Sequence, residues 1–366
     1  MGAVFDLAGL TASDYQFMRQ VDNALIYDAV QAYMQRVNQD AMMAASAFIS
    51  EITTKAQERY QLPGAGLMSP RATGTNGPAV RAGGSISVAY PLLDFGEQVA
   101  EDDVAMAYMT PDEFERHVET VSNRYMARLR RQILYALLDN QSGAAWTFAD
   151  RYLGNLSIQP LADGDTVVYP PVLGSYTDAT ENHYLESGYA YTAISDTNDP
   201  FVTIVNELEE HFGEVAGGSN IVVFINNEER TYVEALTDFD AIPDNFIVPG
   251  ANIDIPQRLP NVPGRIIGRH IGSGCWISQW RWMPAKYMFG VHLEVDAPLK
   301  MRVDPPETGL PQGLALVSNT PDYPFESMQW RARFGLGVAN RLNGVAFELG
   351  TGGTYTVPTN YDGLYS

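Results

Sequence analysis

The chain has 366 residues, 45% of them hydrophobic and 18% charged, with a formal net charge of −21 and one cysteine, Cys275. This composition indicates a globular protein with a sizeable core and excludes a disordered chain, a membrane span, a secretory signal and an intrachain disulfide; Cys275 is expected to be a small buried hydrophobe. The acidic balance argues against nonspecific nucleic-acid binding by the whole surface, because phosphate contacts need a local excess of Lys and Arg.

The first predicted element is a helix over 25–60. Leu62, Pro63 and Gly64 are expected to end it. Its apolar side chains recur at helical spacing. They are Ile26, Val30, Tyr33, Val37, Ala41, Ala45, Phe48 and Ile52.

The segment 64–109 is rich in glycine and has a strand pattern. Residues 85–90 alternate polar and apolar, and Asn76-Gly77 is a strong hairpin signal, so the segment is interpreted as a long β-hairpin. With arms of roughly 20 residues it could project about 60 Å, and because an isolated ribbon is marginal in water it is expected to pack on another subunit. A hairpin folded back over its own domain is the alternative. The predicted intersubunit residues of the hairpin are Asn76, Gly77, Ile86, Val88 and Tyr90.

A long helix is predicted from Thr110 to about Asn140. Thr110 is expected to cap it, Pro111 to take the first helical position and Glu113 to complete a capping box. At 1.5 Å per residue, the helix would be a rod of roughly 45 Å.

Arg124, Arg128 and Arg131 lie at helical spacing on this rod, with Arg130 beside them. The simpler interpretation is that bases near the end of the helix, and acids near its start, complement the helix dipole. The functional interpretation is an arginine row that contacts an acidic neighbour or packaged nucleic acid.

After this helix, 143–198 is predicted to be irregular β structure. A helix from Asp199 to Gly213, a buried strand from Ile221 to Ile225 and a helix from Asn226 to Leu236 then indicate an α/β lobe. The remainder is mostly strand, at 265–268, 275–278, 288–295, 330–338 and 344–349. Helices early and strands late predict an α+β fold whose sheets are completed by distant segments.

No catalytic, cofactor-binding or metal site is predicted. There is no P-loop, because no Gly-Lys dipeptide occurs, and the spacing that begins at Gly335 has Asn340 where a dinucleotide fold needs its third glycine. An improvised calcium site at Asp238, Asp240 and Asp244 is left open. The five histidines are scattered and are interpreted as satisfied or solvated. They are His117, His183, His211, His270 and His292.

Two C-terminal runs carry a family resemblance. MPAKYMFGVHLEVDAPLKMRVDPPETG, from Met283, and WRARFGLGVANRLNGVAFELG, from Trp330, resemble the late strands of tailed-phage major capsid proteins of the Hong Kong 97 fold. The order of predicted elements resembles that family over nearly the whole chain.

The resemblance implies an N-terminal arm and helix at 1–63, an extended loop at 64–109 and a spine helix at 110–142. With 283–350, the spine would form a peripheral domain. It further implies a β-rich elaboration at 143–198, an axial domain at 199–282 and a C-terminal tail at 351–366.

The resemblance also implies a function: a non-enzymatic subunit, without cofactors, that assembles into pentamers and hexamers of a virion shell around double-stranded DNA. Assembly would take place in the host cytoplasm, with a portal protein at one vertex and no membrane. Some relatives cross-link through a lysine on the extended loop, but 64–109 contains none, so cohesion is expected to be noncovalent. A separate scaffolding protein is expected because no long helical leader precedes the arm, and a decoration protein could bind 143–198.

Two alternatives stay open at this point. An encapsulin-type bacterial compartment shares the fold and would hold cargo enzymes in place of a genome. An unrecognised hydrolase using scattered carboxylates is the alternative from a different class, and the missing motifs argue against it.

Overall fold

The computed structural model describes residues 17, 23–71, 73, 74, 76, 77, 79, 84–141, 146–216, 220–242, 262–322 and 325–361. Its α-helices are α1 Asn23–Ala45, α2 Asp103–Tyr108, α3 Pro111–Leu138, α4 Pro200–Ala216 and α5 Arg230–Val233. Short 3-10 turns occur at Tyr191–Ala193, Pro306–Thr308 and Thr359–Tyr361. No helix in this part of the chain has the length and apolar character needed to span a bilayer.

A five-stranded sheet is built around one long strand. Its strands are β1 Ile49–Thr53, β4 Leu93–Asp102, β13 Leu299–Arg302, β14 Gly313–Asp322 and β15 Phe325–Val338. The 14-residue β15 pairs antiparallel with β4, β14 and β13, and β1 then adds to β13 in parallel. The first strand of the described residues is therefore paired with a strand far along the chain, as an α+β fold with distant pairing predicts.

A seven-stranded sheet forms the second layer, in the order β7-β16-β12-β8-β11-β10-β9. Its strands are β7 Tyr184–Glu186, β8 Ile221–Ile225, β9 Phe239–Ala241, β10 Arg265–His270, β11 Trp276–Gln279, β12 Tyr287–His292 and β16 Val345–Glu348. Only four of these strands lie within the predicted axial domain, 199–282. Strands β7, β12 and β16 come from outside this range. They join the sheet through the pairing of β12 with β8, of β16 with β12 and of β7 with β16.

Two separate ribbons complete the strand inventory of the described residues. One pairs β2 Gln57–Leu62 with β3 Gly84–Ala89, and the other pairs β5 Thr147–Asp150 with β6 Gly154–Ser157.

The core continues from one sheet to the other. Strand β8 alternates its side chains, so that Val223 packs with α4 on one face, whereas Phe224 faces an aromatic cluster with Phe48, Trp280 and Phe289 on the other. That cluster runs on into the buried stripes of α1 and α3. The α3 stripe includes Phe114, Val118, Val121, Tyr125, Leu129 and Ile133.

The predicted start of the spine helix is confirmed. The Thr110 hydroxyl accepts from the Glu113 backbone N–H, the Glu113 carboxylate accepts from the Thr110 N–H, and Pro111 is the first helical residue. This reciprocal cap satisfies two of the four backbone donors that a helix start leaves unpaired.

The predicted helix over 25–60 is wrong beyond Ala45, where α1 ends. Phe48 continues the apolar spacing and is buried, but the backbone has already turned, and 49–53 and 57–62 are strands. The physical reason is tertiary: Ile49 pairs with Leu299, and the gain from completing a sheet overrides a local helical pattern.

Other predicted limits also differ from the structure. The helix expected from Asn226 to Leu236 is reduced to α5, because the Asn226 side chain closes a local turn by accepting from the Glu228 N–H. Helix α4 runs to Ala216, past the expected end at Gly213. The segment 143–198 is more than a surface elaboration, since Leu161 is fully buried in the core.

Gly335, where the rejected dinucleotide spacing begins, has a packing role in the structure. A Cβ at Gly335 would collide with the Pro91 carbonyl oxygen, so only glycine lets the chain between β3 and β4 cross β15 this closely.

Candidate intersubunit surface

The β2–β3 ribbon is a two-stranded sheet separate from the two large sheets. Six residue pairs, from Gln57 and Ala89 to Leu62 and Gly84, form it, and within the described residues neither outer edge pairs with a further strand. Its connection carries large apolar side chains in solvent: Leu67 is 69% exposed and Met68 98%. Open strand edges and exposed apolar side chains are the two features by which a ribbon binds another chain.

The arms of this ribbon are not those predicted. Strand β3 was expected to pair within 64–109, but its partner β2 lies before that segment. Asn76 and Gly77 are exposed in a long connection and do not close a tight two-residue turn between the arms. Alternation located β3 correctly but could not identify its partner, because the open connection carries no local signal that fixes pairing.

The β3 side chains that were expected to be buried by a neighbouring subunit are already buried within the single chain. Val88 and Tyr90 are 0% exposed and Ile86 is 9% exposed within the single chain. The reason is that β3 lies against β15 and β6, and Arg302 donates to the Tyr90 carbonyl at 2.9 Å. The fold-back alternative therefore holds for the base of the ribbon, whereas its outer strand edges and the exposed Leu67 and Met68 are available to a partner.

A charged cluster fixes this base to the five-stranded sheet. The Glu58 carboxylate accepts from Lys300 Nζ at 3.1 Å, from Lys55 Nζ at 2.8 Å and from the Tyr60 hydroxyl at 2.6 Å. Burial alone would raise the pKa of Glu58, but these three hydrogen bonds outweigh it and lower the pKa to about 2. Glu58 is therefore ionised at neutral pH and ties β2 to β13 through Lys300.

The segment 143–198 supports the ribbon from a second side. The Ala65 backbone N–H donates to Asp178 Oδ1 at 2.7 Å, at the start of the exposed connection. Asp150, at the end of β5, accepts from Arg302 at 3.1 Å. The ribbon is thus held at its root by groups from two parts of the chain.

The predicted arginine row has partners within the chain. Arg124 pairs with Glu97 at 2.8 Å, the Arg128 guanidinium lies 4.7 Å from the centre of the Phe95 ring, and Arg131 donates to the Asn360 carbonyl at 3.2 Å. The arginine row therefore meets an acidic side chain on β4 of the same chain, and its contact with nucleic acid stays a prediction. Arg130 lies against the Trp282 ring instead.

A cleft of about 510 Å³ lies between α3 and the seven-stranded sheet. Its described lining combines Arg130, Arg230, Arg265 and Arg281 with Trp282, and has no carboxylate, histidine, serine or cysteine. This donor set can hold an anion but offers no general acid, base or nucleophile in the described residues.

The sequence interpretation was that all five histidines are satisfied or solvated. Two of them have a buried ring nitrogen without a hydrogen bond among the described residues. His183 and His211 come together with Glu181, and neither Nε2 atom has a hydrogen-bond partner among the described residues. Burial lowers the pKa of His183 to about 4 and also lowers that of His211, so both rings are neutral near pH 7. By contrast His270 is satisfied, with its ring nitrogens 2.8 Å from Ser273 Oγ and 3.2 Å from an Asp199 oxygen.

Sequence reasoning missed this group because its members stand on different elements, with none of the spacings of a metal motif. The one usable signal was Glu207, Glu210 and His211 at helical spacing on α4, which lie on one face. Asp244, one of the three aspartates of the possible calcium loop, lies outside the described residues.

No protein-family model matches the sequence, and no curated protein matches it. The fold does match solved structures. A solved structure from Mycobacterium phage Patience is 18% identical with a TM-score of 0.66, over 95% of this chain and 93% of that one. The capsid of cyanophage P-SCSP1u is 11% identical with a TM-score of 0.47, over 83% of this chain and 86% of that one. A virus-like particle from Pyrococcus furiosus is 8% identical with a TM-score of 0.42, over 88% and 99%.

The last two similarities are too low to support an argument, but the first is a match over nearly the full length of both chains. The first match confirms that the chain shares its fold with a phage structure, as the tailed-phage resemblance of the sequence implied.

Proposed function

We propose that the chain is the major shell subunit of a phage-type capsid, assembling into pentamers and hexamers that enclose double-stranded DNA. The observation that carries this proposal is the β2–β3 ribbon: it is held at its root, its outer edges pair with no further strand among the described residues, and its connection exposes Leu67 and Met68. The capsid-type fold supports it.

The ribbon would act as a clasp between subunits. Full burial of a side chain such as Leu67 or Met68 contributes about 1.5–3 kcal/mol each, and the open edges of β2 and β3 could add main-chain hydrogen bonds to a neighbour. A shell repeats such a contact in every subunit, so a modest gain per copy is sufficient. Noncovalent closure of this kind agrees with the absence of lysine in 64–109.

The two sheets would take the two roles of a capsid subunit. The seven-stranded sheet with α4 would be the axial domain, which meets its copies at a symmetry axis. Helices α1 and α3 with the five-stranded sheet would be the peripheral domain, and α3 its spine. The net charge of −21 would keep unassembled subunits soluble and limit their adhesion to DNA.

Further partners follow from the same proposal. The subunit would belong to the virion, assemble in the host cytoplasm with a separate scaffolding protein, and leave one vertex to a portal protein. A decoration protein would bind exposed residues of 143–198, such as Tyr152 and Tyr176, which are 85% and 62% exposed. Arg124, Arg128 and Arg131 would face the packaged DNA only by exchanging their present partners.

The first experiment expresses the chain alone and examines it by light scattering and negative-stain electron microscopy. Wild-type protein is expected to form rings or closed shells of uniform diameter. The double variant Leu67→Asp with Met68→Asp is expected to fold with an unchanged melting temperature, since both side chains are in solvent, but to remain as small oligomers. Leu153→Asp, at a 59% exposed position in the β5–β6 turn, is the matched control and is expected to assemble.

A monodisperse wild-type monomer or dimer that persists with a crowding agent would overturn the proposal. Normal assembly of the double variant would overturn the role of Leu67 and Met68 in subunit contact. The contents of particles from producing cells separate the two shell types: nuclease-protected DNA supports a virion, and protein cargo without DNA supports a bacterial compartment.

A further inference from the structure

The ring of His183 is held in one orientation by backbone groups. Its backbone N–H donates to the Ala162 carbonyl at 2.8 Å, and its carbonyl accepts from the Ala346 N–H at 2.9 Å. Its Nδ1 lies 2.8 Å from the Gly344 carbonyl oxygen. Because a carbonyl only accepts, Nδ1 carries the hydrogen, and the lone pair is on Nε2. A backbone carbonyl that fixes the tautomer in this way is the usual support of a metal-binding histidine.

The Nε2 lone pair of His183 is therefore available to bind a ligand. His183 is fully buried, and its Nε2 has no hydrogen-bond partner among the described residues. On α4, the His211 side chain is 5% exposed, and its Nε2 is also without such a partner. Glu181 Oε1 lies 3.4 Å from His211 Nε2. The three ligand atoms all lie within 4.8 Å of one another.

These separations suit one small ion. A tetrahedral Zn²⁺ with ligands at about 2.0–2.1 Å holds its ligand atoms roughly 3.3 Å apart. The Glu181 to His211 distance of 3.4 Å is close to this value, and the separations from His183, at most 4.8 Å, would shorten when Glu181 and His211 close on an ion. Two imidazoles and a carboxylate also match the ligand preference of Zn²⁺, whereas Mg²⁺ and Ca²⁺ prefer oxygen ligands alone.

We propose that Glu181, His183 and His211 bind a divalent transition-metal ion, best matched by Zn²⁺, that joins α4 to the segment preceding β7. Glu207 and Glu210 form a second group with Glu181, with their three ligand atoms within 4.8 Å of one another, and a water molecule would complete the four ligands of the ion. The ion would be structural, clamping the α4 helix to the outer end of the seven-stranded sheet. The proposal is independent of the shell function.

The test uses the full-length chain stripped with EDTA and titrated with Zn²⁺ by isothermal calorimetry, and separately with Co²⁺ by visible absorption. One ion per chain, a rise in melting temperature that EDTA reverses, and the intense d–d bands of tetrahedral Co²⁺ are expected. His211→Ala and Glu181→Gln should each weaken Zn²⁺ binding at least about tenfold. His117→Ala, on α3 and away from the group, is the matched control and should bind as the wild type does.

Two results would overturn the inference. Stripped wild type that takes up no Zn²⁺, or shows only the weak bands of octahedral Co²⁺, would show that the group is not a site. Equal binding by wild type, His211→Ala and His117→Ala would place the ion elsewhere. The Co²⁺ spectrum is read on the wild type, so it decides the matter even if a variant fails to fold.

Discussion

The charged cluster at the root of the ribbon makes a prediction for Glu58→Gln, which keeps the shape of the side chain and removes its charge. A charge-assisted hydrogen bond contributes about 1.5–3 kcal/mol. The Lys300 side chain is 17% exposed and Glu58 14%, so the bond between them should count almost fully, whereas Lys55 is 68% exposed and should add little. We expect a loss of about 2 kcal/mol, or roughly a 30-fold rise in the opening equilibrium of the ribbon root.

The assay is hydrogen exchange, read by mass spectrometry over 57–62 and 84–89. Exchange there should accelerate roughly 30-fold in Glu58→Gln, while the α3 amides change less. Glu51→Gln is the matched control: Glu51 contacts the same Lys300 at 2.9 Å but is 63% exposed, so it should change exchange by less than about threefold. Equal effects of the two substitutions would refute the reasoning, because burial of the pair would then not matter.

The same substitution has a defined pH dependence. The pKa of Glu58 is lowered from 4.5 to about 2 in the folded chain. A carboxyl whose pKa is lower when folded stabilises fully above its unfolded pKa and loses that contribution as the pH falls towards the folded value. The advantage of wild type over Glu58→Gln in urea unfolding should therefore be full above about pH 5 and more than half lost by about pH 3. A difference that is constant across this range would contradict the assignment.

Three further substitutions test the fold. Thr110→Ala removes the spine cap and should lower the free energy of unfolding by about 1 kcal/mol in urea titration, whereas Thr110→Ser should restore it. Arg341→Met removes the buried cation that pairs with Asp163 and Asp165 and should lower the free energy of unfolding by about 3–5 kcal/mol. Proteolysis between 160 and 181 should then be faster than in wild type, and equal resistance would contradict this. Gly335→Ala should lower the free energy of unfolding by about 1–3 kcal/mol, because the new Cβ collides with the neighbouring backbone. Gly77→Ala, whose Cβ would meet nothing within 4 Å, should change it by less than about 0.5 kcal/mol. Equal melting temperatures of the two variants would refute the packing role.

The parts of the fold that could be predicted are those specified by neighbouring residues. Helix α3 has its cap, its first-turn proline and its apolar stripe within one stretch, so its limits were expected almost to the residue. Strand β8 was equally plain, because all five of its residues are apolar and buried, as a central strand requires.

The parts that could not be predicted depend on partners far along the chain. Residues 49–62 continue a helical apolar spacing, and only their pairing with β13 and β3 makes them strands. In the ribbon, alternation showed which side chains of β3 would be buried, but not that the same chain buries them. Likewise, nothing local relates His183 to His211, since a loop and a helix bring them together.

The parallel pairing of β1 with β13 has a consequence for synthesis. Ser50 donates through its hydroxyl to the Leu299 carbonyl, across 249 residues of sequence. At about 5–20 residues per second, a ribosome needs roughly 12–50 s to make the second strand after the first has emerged. During that interval β1 lacks its partner β13 and Glu58 on β2 lacks Lys300, so the root of the ribbon is not yet fixed. Under the proposed function, a nascent chain would therefore be a poor partner for finished subunits, and incomplete chains would be kept out of the shell by their topology alone.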